Sequence, residues 1–178
     1  MNSGLFDKEE INTEDKPSYF VQPGYIFVSR EPHLLSTVLG SCISVCIWDP
    51  VLKFGGMNHY IHAKPFNKKE KSAKYASLSI PYLIKTMVEI GSKKYNLKGH
   101  IVGGSQNPKM GSIAVGRDNI LIAETLLKQH YIDIITFDTG GELGRKVVFD
   151  TETGEIVIYK VNKLREYDWY ADKSFNNR

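Results

Sequence analysis

The chain has little cysteine, little net charge and no long apolar run, and each shortage removes a class of protein. Cysteine occurs only twice in 178 residues, too few for a disulfide framework, so reduced thiols are expected. The formal net charge of +3 is small for this length and gives no reason to expect nucleic acid, whose binders carry a concentrated basic patch. The one basic run (Lys64, Lys68, Lys69, Lys71 and Lys74) has few aromatics among its lysines and reads as a solvated loop. Nothing approaches the ~20 apolar residues of a membrane span. The opening stretch MNSGLFDKEEINTEDKPSYF is polar and acidic, with no apolar h-region. Neither a secretory signal nor membrane insertion is expected, and the reading is a cytoplasmic protein. Several motifs are also missing: the dinucleotide and P-loop glycine patterns, the G-x-S-x-G of serine hydrolases, the H-x-E and P-C-x-x-C of zinc deaminases, and any internal repeat.

What remains is an ordinary globular composition, 42% hydrophobic and 24% charged, in a chain long enough for one domain with a real core. Residues 1–18 read as a flexible arm, 19–162 as the domain, and 163–178 as a polar tail carrying Trp169, Tyr170 and Phe175. Strands are expected at 25–28, 43–48, 54–61, 100–102 and 132–137, with a loop at 30–33. Two more, at 146–149 and 156–161, flank the hairpin signal of residues 150–155. Between 72 and 90 the period turns helical through Tyr75, Leu78, Tyr82, Leu83, Thr86, Met87 and Ile90. Pro81 predicts a break or a start there, and Gly91 a stop. A second helix follows Gly116-Arg117-Asp118-Asn119, with Ile120, Ala123, Leu126 and Leu127 as its stripe and an end near His130. Strands that are hairpin-paired in places and helix-separated in others predict an α/β (α+β) layered sandwich, with mixed β-sheets and two main flanking helices.

Chemistry concentrates in Leu39-Gly40-Ser41-Cys42 and Gly55-Gly56-Met57-Asn58-His59. Cysteine attacks as the thiolate. A facing imidazole can take its proton, form an ion pair and later protonate a leaving amine. The Gly40 turn brings the backbone N–H groups of Ser41 and Cys42 toward a substrate carbonyl. An oxyanion donor of that kind is worth ~2.7–4 kcal/mol in the transition state. A strand, a turn at Asp49-Pro50 and a return strand would bring the two side chains together. The plain alternative is that Cys42 fills space, as free cysteines commonly do, and Cys46, mid-strand, reads as core.

Other patterns are weaker. Cys42, Cys46, His59 and His62 resemble zinc-finger spacing, but cysteines four apart on a strand are ~13 Å apart and cannot share a tetrahedral ion, so no metal is expected. Asp138-Thr139-Gly140-Gly141 resembles an aspartic-protease loop, whose chemistry needs two copies. One copy reads as a turn whose carboxylate bonds nearby N–H groups. Gly103-Gly104 predicts a tight turn or a close backbone approach.

Taken together, Thr37-Val38-Leu39-Gly40-Ser41-Cys42, Trp48-Asp49-Pro50, Gly55 to His59, Lys74-Tyr75-Ala76, Ile101 to Gly104, Asp138 to Gly141 and Gly144-Arg145-Lys146-Val147 resemble the chemoreceptor glutamine deamidase family, CheD, over roughly residues 24–161. The resemblance implies an α/β sandwich similar to the catalytic domain of cytotoxic necrotising toxins. It implies hydrolysis of glutamine side-chain amides on methyl-accepting chemotaxis receptors, giving glutamate and ammonia. Nucleophile and base fall on Cys42 and His59, and no cofactor is needed. The family places a threonine hydroxyl six positions before the cysteine. That position is Ser36 here, with Thr37 adjacent, so both are candidates. Receptor cytoplasmic domains are the implied partners, and some relatives also bind the phosphatase CheC. The competing reading is a non-catalytic adaptor that uses the same fold to bind a receptor or CheC.

Overall fold

The structure, a computed structural model, describes residues 16–111 and 113–164. Residues 1–15 of the expected arm and 165–178 of the expected tail lie outside the described residues. The elements run β1 (Ser18–Phe20), β2 (Ile26–Ser29), β3 (Leu34–Leu39), β4 (Ile43–Asp49), β5 (Phe54–Asn58), α1 (Ala76–Glu89), β6 (Lys98–Gly103), α2 (Ile113–Gln129), β7 (Asp133–Thr139), β8 (Gly144–Asp150) and β9 (Ile156–Val161), with single 3₁₀ turns at Lys94–Asn96 and Pro108–Met110.

The β-branched and aromatic runs build two sheets, ordered β1-β3-β8-β9 and β2-β5-β4-β6-β7. Pairing is antiparallel except for β1 with β3 and β6 with β7. Strand alternation sorts the core into two layers. Ile43, Val45 and Ile47 of β4 pack with Ile80, Leu83 and Met87 of α1 and with Ala123 and Leu127 of α2. On the other face, Cys46, Met57 and Val102 meet Leu35, Leu39, Val147 and Phe149 of the four-stranded sheet. Helices, five strands and four strands therefore stack in three layers, the mixed-sheet α+β arrangement that the sequence predicts.

Four elements differ from expectation. β1 and β3 were not anticipated. β3 pairs with β8 from Leu34↔Asp150 to Leu39↔Arg145. β1 is held in parallel on β3, and its approach is anchored where Lys16 Nζ meets Asp150 at 2.6 Å and Glu152 at 2.9 Å. Pro81 neither breaks nor starts α1, which runs through it. The proline removes one intrahelical donor, yet Ile80, Leu83, Ile84 and Met87 are all buried on the sheet side. The first turn is also tied from outside, Ala76 N–H to His62 O at 2.9 Å and Ser77 N–H to Ala63 O at 3.1 Å. Packing outweighs the one lost bond. α2 starts at Ile113, ahead of the expected Gly116, and ends at Gln129.

Candidate active site

The register of β4 on β5 pairs Cys46 with Met57 and Ile47 with Gly56, and a bridge between Ile43 and Tyr60 continues it beyond the strand ends. His59 therefore stands opposite Ser44. Cys42 is its diagonal cross-strand neighbour on the same face, a spacing of about 7–8 Å at the backbone. The core layers agree: Cys42 packs with Cys46 and Met57 on the inter-sheet side, while Ile43 and Tyr60 face the helices.

His59 is fully buried, and its ring is oriented by β3. Nδ1 lies 2.8 Å from Thr37 Oγ1 and 3.3 Å from the Val21 carbonyl. Thr37 has one hydroxyl proton, and it is donated to that same carbonyl at 2.7 Å. A carbonyl oxygen only accepts, and a hydroxyl whose proton is engaged can only accept. Nδ1 must therefore carry the ring proton, which leaves Nε2 with a free lone pair. Nε2 is buried and has no hydrogen-bond partner among the described residues. An unpartnered buried acceptor is costly, and this one belongs to a residue on the same face as Cys42.

The two hydroxyl candidates separate cleanly. Thr37 shares its face of β3 with Leu35 and Leu39, which line the inter-sheet core, and it is buried. Alternation turns Ser36 to the opposite face, away from His59, so the structure brings only Thr37 to the imidazole.

Cys42 sits in a turn braced by the Gly103-Gly104 loop, the close backbone approach that the glycines predict. Gly104 N–H donates to Cys42 O at 2.7 Å and Ser105 N–H to Gly40 O at 2.8 Å. Gly103 has φ +113°, and a β-carbon there would collide with the Cys42 carbonyl. Behind this loop lies α2, where a β-carbon on Gly116 would come within 2.5 Å of Ser105 O. The Asp138 loop braces the other side, Gly140 N–H to Gly103 O at 3.1 Å and Gln106 N–H to Gly141 O at 2.7 Å. Among the described residues Asp138 bonds no local N–H group, contrary to the turn reading. It accepts from Arg145 Nε at 3.0 Å and Nη2 at 2.8 Å, and Arg145 also donates to the carbonyls of Gly140 and Leu143. An ion pair between buried Arg145 and half-buried Asp138 thus fixes the loop that supports the Cys42 turn.

Burial sets the protonation states. It pushes the Cys42 thiol up to about 11, against a smaller lowering by its own backbone N–H. It pulls His59 down to about 4, against the hydrogen bond to Val21. Both shifts disfavour charge separation. Burial therefore favours a neutral thiol beside a neutral imidazole over a resting ion pair. Alkylation of Cys42 by iodoacetamide should accordingly keep rising about tenfold per pH unit from pH 7 to pH 10. A plateau below pH 8 would contradict it.

The remaining candidates fall elsewhere. Cys46 is fully buried, its sulfur 3.9 Å from Ser44 Oγ, and burial raises its thiol to about 12. The His62 ring packs against Phe66 and Tyr75 at 5.5 and 6.3 Å. Among the described residues no group of three or more His, Cys, Asp or Glu is placed to hold a metal ion, and no helix is long and apolar enough to cross a membrane.

A family model described as CheD chemotactic sensory transduction matches residues 61–160, a stretch that begins just past His59. The chain is 34% identical over 138 residues to "Probable chemoreceptor glutamine deamidase CheD 1" of Anaeromyxobacter dehalogenans, covering 76% of this chain and 80% of that protein. It is 34% identical over 142 residues to "Probable chemoreceptor glutamine deamidase CheD" of Trichlorobacter lovleyi, covering 79% and 88%. A relative of the same name in Methanococcus vannielii is 34% identical over 148 residues, covering 82% and 96%.

Proposed function

This chain belongs to the CheD family, and from that premise we propose that it is a protein-glutamine deamidase of chemotaxis, hydrolysing receptor glutamines through a thioester on Cys42. The names of the relatives support the reaction and the receptor substrate. The observation that carries the mechanism is the Thr37–His59 contact, which keeps the ring proton on Nδ1 and leaves Nε2 with a free lone pair on a side chain whose diagonal cross-strand neighbour is Cys42.

The steps follow from that arrangement. As Cys42 Sγ bonds to the amide carbon, His59 Nε2 takes the thiol proton. The carbonyl oxygen becomes an oxyanion, held by the N–H groups of Ser41 and Cys42. Collapse breaks the C–N bond, and His59 passes its proton to the departing ammonia. Water then attacks the thioester, giving its proton to His59. The C–S bond breaks and the thiol is restored. The balance is one amide and one water to one acid and one ammonia. Throughout, Thr37 accepts from Nδ1–H and holds the ring in plane, as a buried acceptor does in other triads. No step calls for a cofactor.

An adaptor would bind receptors with this fold but would have no use for an imidazole whose Nδ1 is fixed by Thr37 and the Val21 carbonyl beside the Cys42 turn. The receptor's cytoplasmic domain is the proposed substrate, which places the reaction in the cytoplasm. Contact with CheC is carried in the same proposal and is checked by co-elution of the two purified proteins. The decisive assay incubates the purified protein with a receptor cytoplasmic fragment. Release of ammonia, the amide-to-acid mass gain at glutamine, and an acyl adduct on Cys42 after acid quench are expected. A fragment whose glutamines all keep their amide mass would reject the proposal.

A further inference from the structure

We propose that Asn119 is a positioning residue for this reaction, gripping from α2 the peptide whose N–H serves the oxyanion and the strand end that carries His59. The inference rests on the deamidase reading above. Asn119 is fully buried. Its Nδ2 donates to Ser41 O at 3.0 Å and to Ile61 O at 2.7 Å, and its backbone carbonyl accepts from Tyr60 OH at 2.6 Å. Ser41 immediately precedes Cys42, while Tyr60 and Ile61 immediately follow His59. One helical residue thus ties both halves of the catalytic pair to a third element. Both amide protons are engaged, whereas Oδ1 has no partner among the described residues, so the side chain acts here entirely as a donor.

Peptide geometry gives the grip a direction. The Ser41 carbonyl and the Cys42 N–H belong to one planar peptide, in which a trans bond sends the two groups opposite ways; no peptide in the described residues is cis. Holding the carbonyl toward α2 therefore aims the N–H away from the helix, toward the thiol. The same N–H interacts with the Cys42 sulfur. The Gly104 N–H bond holds the next carbonyl along. Ser41 and Cys42 are thereby fixed on both sides of the nucleophile by donors from α2 and from the loop that α2 supports.

An oxyanion exists only after attack, so misaiming its donor weakens the transition state and not the bound substrate. Truncating Asn119 should lower kcat and leave KM nearly alone. The test uses the full-length protein, a receptor cytoplasmic fragment and three variants. Asn119→Ala removes both donors. Asn119→Asp keeps the volume but presents a carboxylate to the two carbonyls. Leu127→Ala truncates a buried residue of α2 that touches neither carbonyl. Both Asn119 variants should lose about 10²-fold in kcat, the scale of one oxyanion donor, with KM within about threefold of wild type. Leu127→Ala should lower the melting temperature at least as far as Asn119→Ala while kcat, per folded molecule, stays within about twofold.

Cys42 alkylation at fixed pH adds a readout independent of turnover. Asn119→Ala should alkylate about tenfold faster than wild type as the turn loosens, and Leu127→Ala at the wild-type rate. If Asn119→Ala and Leu127→Ala lose activity in the same proportion to their stability, or Asn119→Asp keeps wild-type kcat, the inference is overturned. If wild type converts no glutamine, the deamidase reading fails instead, and the clamp stands or falls on the alkylation rates alone.

Discussion

Alanine at Cys42 should reduce glutamine conversion to background, alanine at His59 should lower kcat by about 10³–10⁴, and the double variant should lose no more than Cys42→Ala alone. The first loss should be total because the other candidates on that face are engaged: Cys46 is sealed in the inter-sheet core, and buried Ser44 donates its hydroxyl to the Asn58 carbonyl. The second follows from the resting protonation. With the thiol raised to about 11, only about 10⁻⁴ of the protein holds a thiolate at pH 7, and without His59 that fraction is all that can attack. Because the two residues act as one unit, their losses do not add. Time courses by mass spectrometry on a receptor fragment check all three. Undiminished conversion by Cys42→Ala, or losses that multiply in the double variant, would refute the arrangement. Thr37→Val and Ser36→Ala refine it. Removing the Thr37 hydroxyl strips the closer acceptor from Nδ1–H while the Val21 carbonyl at 3.3 Å remains, so kcat should fall about 10–100-fold. Ser36, on the opposite face of β3, should tolerate alanine with kcat within about twofold. The reverse ranking would return the third role to Ser36.

How much of this was legible in the sequence depends on how local each signal is. The β4 and β5 pairing, the β8–β9 hairpin and the glycines beside Cys42 are written in neighbouring residues, and all are found in the structure. Proximity of Cys42 and His59 needed only one turn between two strands. β3 is not legible locally, because Leu34 to Leu39 carries no alternation that separates a doubly covered strand from a loop followed by a turn. Its partner β8 lies more than a hundred residues on. The choice between Ser36 and Thr37 was open for the same reason: which hydroxyl meets His59 depends on the facing of a strand in the other sheet. Asn119 was visible only as the leader of a helical stripe, since both carbonyls it holds are some sixty to eighty residues away. Burial decided the rest. A thiol and an imidazole at motif spacing suggest an ion pair, but desolvation, which no local pattern reports, keeps both neutral.

Desolvation also predicts that acid unfolds this protein before it silences the base. His59 and His100 are both buried and both lowered to about 4 from the ordinary 6.5, in each case chiefly by burial. Neither nitrogen of His100 has a hydrogen-bond partner among the described residues, and its ring rests 5.5 Å from Phe149. The sign follows from where each proton is bound. Above pH 6.5 both histidines are neutral in folded and unfolded chains and contribute no pH dependence. Between 6.5 and about 4 the unfolded chain binds protons that the native interior refuses, so stability falls as pH falls, and the loss is complete once pH passes below the folded value. The gap is worth on the order of 3 kcal/mol per histidine. Two such gaps, about 6 kcal/mol together, reach the lower end of the ~5–15 kcal/mol by which a domain is stable. Urea midpoints measured from pH 7 to pH 4.5 should drop steeply, led by two protons, while activity per folded molecule holds because His59 Nε2 has not yet titrated. His100→Leu removes one of the two protons and places an apolar side chain against Phe149. It should equal or exceed wild-type stability at pH 5 and halve the slope. Midpoints that stay level across this range, or a His100→Leu curve parallel to wild type, would show that the buried histidines do not govern acid stability. Halved steepness with intact turnover would instead separate the histidine that fills the inter-sheet core from the one that the proposed mechanism uses there.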